Sequence, residues 1–272
     1  MERQFAPHQA KVIAIMNEKG GVAKSNTATT LAYLLCQRGK KTLLIDFDGQ
    51  GSATILNGIE NPNQLSITIS TLLNRVIQDQ PLPPPDQYIM QNGNGVDFIP
   101  SNSELFVLER NLSAVNFREK KLARIVDELR HLYEYIVIDT MPQIGTPMMN
   151  VLMCADSIII PTQAEFLSIQ GLSELLKHHH AMVKDSQRNI TIEGILITMD
   201  SSQTLVSAHL NAMLEDSFGG QIPIFKSRIP RSIKVAEANL YQKNICEYMP
   251  ENAAAIAYEN FVKELIDNAI AS

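Results

Sequence analysis

Short runs of apolar, largely β-branched residues recur along this chain, and longer stretches with helical spacing separate them. The runs are Lys11–Met16, Lys41–Phe47, Val96–Pro100, Tyr135–Asp139, Ser157–Pro161, Ile190–Thr198 and Ile222–Phe225. They are nearly continuous in apolar character, as strands covered on both faces must be. Helices are predicted over Ser25–Arg38, Glu104–Leu112, Lys120–His131, Phe166–Lys184 and Thr204–Phe218, with a closing helix over Asn252–Ala271. Strand and helix in alternation need crossover connections, which pair the strands in parallel and put helices on both faces. The expected fold is one α/β domain over residues 1–272, a mostly parallel, doubly wound sheet flanked by helices. Residues 1–10 form an N-terminal extension, and the proline-rich stretch 80–87 is expected to be a surface loop.

Composition removes several classes. With 272 residues, 45% hydrophobic and 19% charged, the chain has material for a sizeable core and is not globally disordered. No apolar run approaches the roughly 18–20 residues needed to cross a bilayer. Met1–Gln9 lacks a signal-peptide pattern, and Cys36, Cys154 and Cys246 lie too far apart in sequence for a disulfide framework or a metal-spaced pair. A reducing cytoplasm is the expected compartment. The net charge of −6 disfavours indiscriminate nucleic-acid binding but leaves room for a local basic patch. His178–His180 are consecutive helix positions, about 100° apart, so they cannot converge on one metal; a partly solvated helix face is expected.

The most informative segment follows the first strand: Asn17-Glu18-Lys19-Gly20-Gly21-Val22-Ala23-Lys24-Ser25-Asn26. A glycine-containing turn between strand and helix aims backbone N–H groups and the positive helix end at an anion. Gly20 and Gly21 permit close approach to phosphate, Lys24 reaches the terminal phosphates, and the Ser25 hydroxyl suits Mg²⁺. The ordinary pattern GxxxxGK[ST] is not met, because Glu18 and Ala23 stand where its glycines belong.

The segment instead resembles the deviant Walker A motif, KGGxxK[ST], of the ParA/MinD ATPases. In that family the first lysine, here Lys19, reaches across a dimer to the partner's nucleotide. The resemblance covers almost the whole chain. Leu43–Thr54 (LLIDFDGQGSAT) looks like the family's LLxDxDPQGNAT, with Gly49 for proline and Ser52 for asparagine. By similarity Asp46 lies near the magnesium and Asp48 positions or polarises the attacking water. Tyr135–Asp139 with Thr140-Met141-Pro142 resembles IIDxPP; Asp139 would hold magnesium through water, and Met141 replaces the first proline. Ala155–Leu176 matches ADxxxIPxQxExxxxxGLxxLL closely. Ile229-Pro230-Arg231-Ser232 with Val235–Ala238 looks like IPRNxxLSEA of the ParA branch, which implies Pro230 beside the adenine and the backbone near Met199 on its other side.

The resemblance therefore implies a ParA/Soj-type partitioning ATPase with ATP and Mg²⁺ as cofactors, an ATP-dependent homodimer, non-specific DNA and a ParB-like centromere-binding protein as partners, and a cytoplasmic, nucleoid-associated location. Plasmid partition and chromosome segregation are the processes it points to. The basic stretch Lys226, Arg228, Arg231 and Lys234 has no acid between its members and is the expected DNA surface; two copies on a dimer would supply enough phosphate contacts where one would not. Lys120, Lys121 and Arg124 read as a solvated helix surface. Glu259–Ile270 carries three acids and one lysine, which disfavours membrane anchoring of the MinD kind. Cys36 and Cys154 do not match the cluster ligands of nitrogenase iron proteins. The first strand starts at Lys11, so no N-terminal helix-turn-helix domain is expected. Alanine at position 23 implies retained nucleotide binding with weak intrinsic hydrolysis. Two alternatives stay open: a hydrolysis-poor, nucleotide-dependent binding switch in mobile-element maintenance or complex positioning, and a metabolic P-loop enzyme such as a dethiobiotin synthetase relative.

Overall fold

The computed structural model describes residues 9–112, 115–143, 145–186, 188–201 and 205–271. Among the described residues, eight strands form one sheet: β1 (Lys11–Ile15), β2 (Thr42–Phe47), β3 (Met90–Gln91), β4 (Asp97–Ile99), β5 (Tyr135–Thr140), β6 (Ser157–Thr162), β7 (Thr191–Asp200) and β8 (Ile224–Pro230). Their spatial order is β3-β4-β2-β5-β1-β6-β7-β8. Every neighbouring pair is parallel except β3–β4. The helices are α1 (Lys24–Gln37), α2 (Ser52–Leu56), α3 (Ile69–Ile77), α4 (Glu104–Leu112), α5 (Lys121–Leu129), α6 (Thr146–Cys154), α7 (Phe166–Ser186), α8 (Leu205–Phe218), α9 (Ile233–Leu240), α10 (Ile245–Tyr248) and α11 (Ala253–Ala271).

The period-2 alternation of the strands divides the interior into two cores. On β1, Val12 and Ala14 face one core while Ile13 and Ile15 face the other. On β6, Ile158 and Ile160 join the first and Ile159 the second. Helices α3, α5 and α6 cover the first face; α1 and α11 cover the second. Ala254, Ala255, Tyr258, Phe261 and Val262 of α11 are fully buried there, while Ile256 is about half exposed. Phe261 meets Phe225 of β8 edge to face at 4.9 Å, and the Tyr258 hydroxyl lies 3.1 Å from Thr27 Oγ1 of α1. The chain's closing helix thus packs its apolar face on its own sheet. No helix among the described residues is long and apolar enough to cross a membrane.

Local chemistry sets the ends of α1. Gly39, at φ +75°, follows the helix; its N–H donates to Cys36 O, and Lys40 N–H donates to Leu35 O, a Schellman closure. At the far end of the sheet from the strand C-termini, Arg130 donates to Asp156, Ala10 O and Cys154 O, and Asp156 in turn accepts from Val12 N–H. That cluster pins β1, α5 and the α6–β6 turn together.

Several elements depart from the sequence expectation. The last strand begins at Ile224 and runs to Pro230, because Gln221 and Ile222 are taken up in a turn on Phe218 O and Pro223 offers no N–H. The stretch Lys120–His131 is helical only over Lys121–Leu129, with single 3-10 turns at Arg118–Lys120 and Arg130–Leu132. Helices α2, α3, α6, α9 and α10 and the short antiparallel strand β3 have no counterpart in that expectation. Residues 80–87 are surface-exposed or half-buried, ending in a 3-10 turn at Pro85–Gln87. Residues 1–8 of the N-terminal extension and Thr204 of the α8 stretch lie outside the described residues.

The histidine triplet is not a uniformly solvated face. His179 is buried, and its Nε2 lies 2.9 Å from Ile190 O, so Nε2 carries the proton and the buried Nδ1 has no partner. Burial holds its pKa below the usual 6.5, against the upward pull of the Ile190 carbonyl. Below pH 6.5 the unfolded chain then takes up more protons at this site, so its contribution to stability is complete above that pH and is lost as the pH falls. Denaturant unfolding at about pH 7.5 and about pH 5.5 is expected to show a steeper loss for the wild type than for His179→Gln; equal losses contradict the assignment.

Candidate nucleotide-binding site

The parallel register gathers the site at the carboxyl ends of β1, β2 and β5, the crevice where open α/β sheets bind ligands. Asp46 and Asp139 are Cα partners across β2 and β5, and Asp139 is the partner of Ile15 on β1. The turn that leaves β1 therefore starts beside both carboxylates.

Side chains within the loop and beyond it hold that turn in place. Asn17 Nδ2 donates to Pro161 O at 2.7 Å and to Thr162 Oγ1, while Asn17 Oδ1 accepts from Lys19 N–H. Gln163 Nε2 donates to Gly21 O at 2.8 Å, Thr198 Oγ1 to Val22 O at 3.1 Å, and Lys24 Nζ to Lys19 O at 2.9 Å. The carbonyls of residues 19, 21 and 22 are thus engaged from behind. Gly21 (φ +74°) and Ala23 (φ +64°) both occupy the left-handed region. A backbone of that kind turns successive amides to one side, where the N-terminus of α1 adds its partial positive charge.

Lys24 is buried, and desolvation lowers its pKa, with Asp139 and then Asp48 acting in the opposite sense. Asp46 and Asp139 are fully buried, and desolvation pushes both carboxyls well up. Their mutual repulsion raises Asp139 further, while the Ser25 hydroxyl and Lys24 work against it. Asp46 is held by Thr54, whose N–H and Oγ1 each donate to Oδ2 at 2.7 Å, and by Asp48 N–H at 3.1 Å. Asp48 accepts from Gln50 N–H. Both oxygens of Asp139, by contrast, are buried with no partner at hydrogen-bonding geometry.

These oxygens fit magnesium. The donors are hard: two carboxylates and a hydroxyl. No group of three or more His, Cys, Asp or Glu side chains among the described residues could cage a metal alone.

Two connected chambers lie above this floor. The first, about 480 Å³, is lined by Gly20, Gly21, Lys24, Ser25 and Asp48, with Ala23, Asn26, Met199 and Asn239 at its neck. The second, about 220 Å³, begins at the same four neck residues and continues to Ile229, Pro230 and Arg231. The structure thus brings Met199 and Pro230 to one cavity beside the loop. A smaller cavity lies beside the start of the loop, lined by Met16, Asn17, Glu18, Phe47, Met141 and Met148.

Other residues singled out from sequence are placed differently. Lys19 Nζ forms an ion pair with Glu165 Oε2 at 2.5 Å within the chain. In the basic stretch, acids reach Arg228 and Lys234 from neighbouring positions: Glu215 of α8 lies 3.7 Å from Arg228, and Glu237 lies 2.7 Å from Lys234. Lys226 and Arg231 are exposed. Gly49 has room for no side chain, because the Phe106 ring stands 2.8 Å from where a Cβ would be. Sequence reasoning assigns no role to Gln163, Thr198 or Thr54. Gln163 and Thr54 lie inside segments that carry the family resemblance, but what they bond is visible only in three dimensions.

Fold and loop together define a P-loop nucleoside triphosphatase. The family model described as "AAA domain" matches residues 10–192. The chain is 32% identical over 258 residues to the sporulation initiation inhibitor protein Soj of Bacillus subtilis, covering 95% of this chain and 99% of that one. It is 31% identical to the chromosome partitioning protein ParA of Myxococcus xanthus, covering 94% and 88%. Among solved structures, cobyrinic acid a,c-diamide synthase of Mycobacterium smegmatis with a bound ATP analogue and magnesium superposes with a TM-score of 0.81 at 26% identity, covering 96% of each chain. The chain belongs to the ParA/MinD superfamily and is a ParA/Soj-type ATPase of that family.

The observed φ of Ala23 yields a direct expectation. A Cβ in the left-handed region costs on the order of 1 kcal/mol, partly offset by the greater unfolded-state freedom of glycine. Ala23→Gly is expected to raise stability by about 0.5–1 kcal/mol, read as a higher urea midpoint at unchanged slope. A lower midpoint contradicts the strain assigned to this residue.

Proposed function

We propose that the protein is an ATP-dependent DNA-partitioning ATPase whose Mg-ATP-bound form is a sandwich dimer that binds DNA without sequence preference. The observation that carries this reading is the meeting of Lys24, Ser25, Asp46 and Asp139 under a loop whose carbonyls are engaged elsewhere. In this reading the amides of Gly20, Gly21, Val22, Ala23, Lys24 and Ser25 cradle the phosphates, with Asn26 close by. Lys24 neutralises the terminal phosphates from a dry position where charge interactions are strong. Ser25, Asp46 and Asp139 hold magnesium, which when bound neutralises phosphate charge. Asp48, fixed at the strand end next to Asp46, orients the attacking water. Catalysis of this kind is positioning and charge stabilisation, so displacing one lysine costs orders of magnitude.

Lys19 acts in the second subunit's site in this reading, and must leave Glu165 to do so. An exposed pair of this type is worth about 0–1 kcal/mol, which a contact with nucleotide phosphate readily outweighs. Pro230 packs beside the base, with Met199 opposite. Lys226, Arg228, Arg231 and Lys234, doubled in the dimer, contact DNA phosphates; Arg228 and Lys234 trade their acidic neighbours for phosphate. A ParB-like partner stimulates hydrolysis, the dimer dissolves, and cycling moves DNA cargo in the cytoplasm over the nucleoid.

A second reading has one observation in its favour. The strained Ala23 precedes the phosphate-binding Lys24, which suits a switch that binds nucleotide and dimerises but hydrolyses poorly. Steady-state phosphate release with DNA present separates the two.

The test is fluorescence polarisation of a labelled DNA duplex of arbitrary sequence at two salt concentrations. Binding is expected with Mg-ATP alone and is expected to vanish in Lys19→Ala. Arg231→Ala with Lys234→Ala is expected to weaken binding and to lower the salt slope by about 1 for each phosphate that is no longer neutralised. Nucleotide-independent binding, or wild-type behaviour of the double variant, contradicts the proposal.

A further inference from the structure

A cavity of about 430 Å³ beside the turn that follows Asp48 has no part in the reading above. Gly49 and Gln50 meet the segment 60–64 and the start of α4 there. Gln50 and Ile55 also line the phosphate chamber, but none of Gly20–Ser25, Asp46 or Asp139 reaches this cavity. The Phe106 ring lines it where it packs on Gly49, the position at which the family pattern has proline. The aromatic surface is therefore a feature of this chain rather than of the shared motif.

Asn102 brings an unused donor to the cavity. Its Oδ1 accepts from Thr68 Oγ1 and Ser70 Oγ, each at 3.3 Å. Thr68 Oγ1 itself accepts from the Thr71 N–H, so it donates to Asn102 and fixes which end of the amide is oxygen. Nδ2 then has no acceptor among the described residues. It is not sealed off either: Asn102 is 3% exposed, and what surface it keeps opens on the cavity. A buried amide donor is normally satisfied, so a ligand atom that accepts is the missing partner.

The rest of the lining narrows the ligand. Glu60 is its one charged residue, and no lysine, arginine or histidine is present, which disfavours an anion. No cluster of three metal-ligating side chains exists there among the described residues. The side-chain amides of Gln50, Asn61 and Gln64 offer neutral oxygens beside the Glu60 carboxylate. A guanidinium matches this set, because its planar fork donates to several oxygens at once and its flat face stacks on an aromatic ring. The Asn102 donor asks in addition for a carbonyl, which an arginine has when it is part of a peptide.

We propose that this cavity binds an arginine residue of a partner polypeptide, its guanidinium against the Phe106 ring and the Glu60 carboxylate and its backbone carbonyl accepting from Asn102 Nδ2. The proposal does not depend on a bound nucleotide.

The experiment titrates N-acetyl-arginine methylamide into the ¹⁵N-labelled protein and follows the Asn102 side-chain amide and the Gly49 and Gln50 backbone amides by NMR. The uncharged isostere N-acetyl-citrulline methylamide is titrated in parallel. Saturable shifts of these resonances are expected with the arginine probe, with affinity about tenfold above that for the citrulline probe, the size of one charge-assisted hydrogen bond. Glu60 is exposed, so Glu60→Gln leaves the fold intact, and it is expected to weaken the arginine probe about threefold without affecting the citrulline probe. Equal affinity for the two probes overturns the proposal. So does unchanged arginine affinity in Glu60→Gln, or saturation that leaves the Asn102, Gly49 and Gln50 resonances where they were, or the absence of any saturable shift.

Discussion

Asp46 and Asp139 stand opposite each other on adjacent parallel strands, both fully buried, and the rest of the site is organised by the charge they place there. Two carboxylates that close in a dry interior cannot both ionise without positive charge beside them. Lys24 and the N-terminus of α1 supply part of it, and both arrive because the turn from β1 is pinned from behind by Asn17, Gln163 and Thr198. Thr54 satisfies Asp46 from within, whereas Asp139 has beside it only the Ser25 hydroxyl and the Lys24 ammonium of the loop. Hard oxygens of this kind would suit a divalent cation, and burial raises both carboxyl pKa values.

Two departures from the family pattern have physical consequences that differ in kind. At position 49 the missing proline is compensated: Phe106 occupies the space a side chain would need, so the turn after Asp48 is supported by an aromatic ring from α4. At position 23 there is no such compensation. The backbone keeps the left-handed conformation that glycine would adopt freely, and alanine bears the cost. The first change preserves the shape of the segment; the second adds strain beside the buried Lys24.

The features legible in the sequence are those whose cause is local. Buried parallel strands announce themselves as apolar runs, and the phosphate loop as a strand, a glycine turn and a helix, because both are contiguous. The pairing of Asp46 with Asp139 depends on the spatial order β2-β5-β1, which no spacing encodes. The engagement of the loop carbonyls by Gln163 and Thr198 likewise comes from strands far along the chain. The basic stretch reads as unopposed in sequence because Glu215 lies outside it, yet the crossover from α8 to β8 brings that acid to Arg228. Helix α6 is hard to read because Pro147, tolerated only in its first turn, looks like a helix breaker in sequence. The burial of His179 follows from the meeting of α7 with the start of β7 rather than from its neighbours in sequence, so periodicity alone does not reveal it.

Calorimetric titration of Mg-ATP into the wild type and into Lys24→Ala tests the central claim most directly, since it asks whether a triphosphate binds where the buried lysine and carboxylates meet. Saturable binding with one nucleotide per chain, abolished on removing either magnesium or the Lys24 ammonium, is the predicted result. Absence of binding to the wild type, or equal binding by Lys24→Ala, would contradict the account.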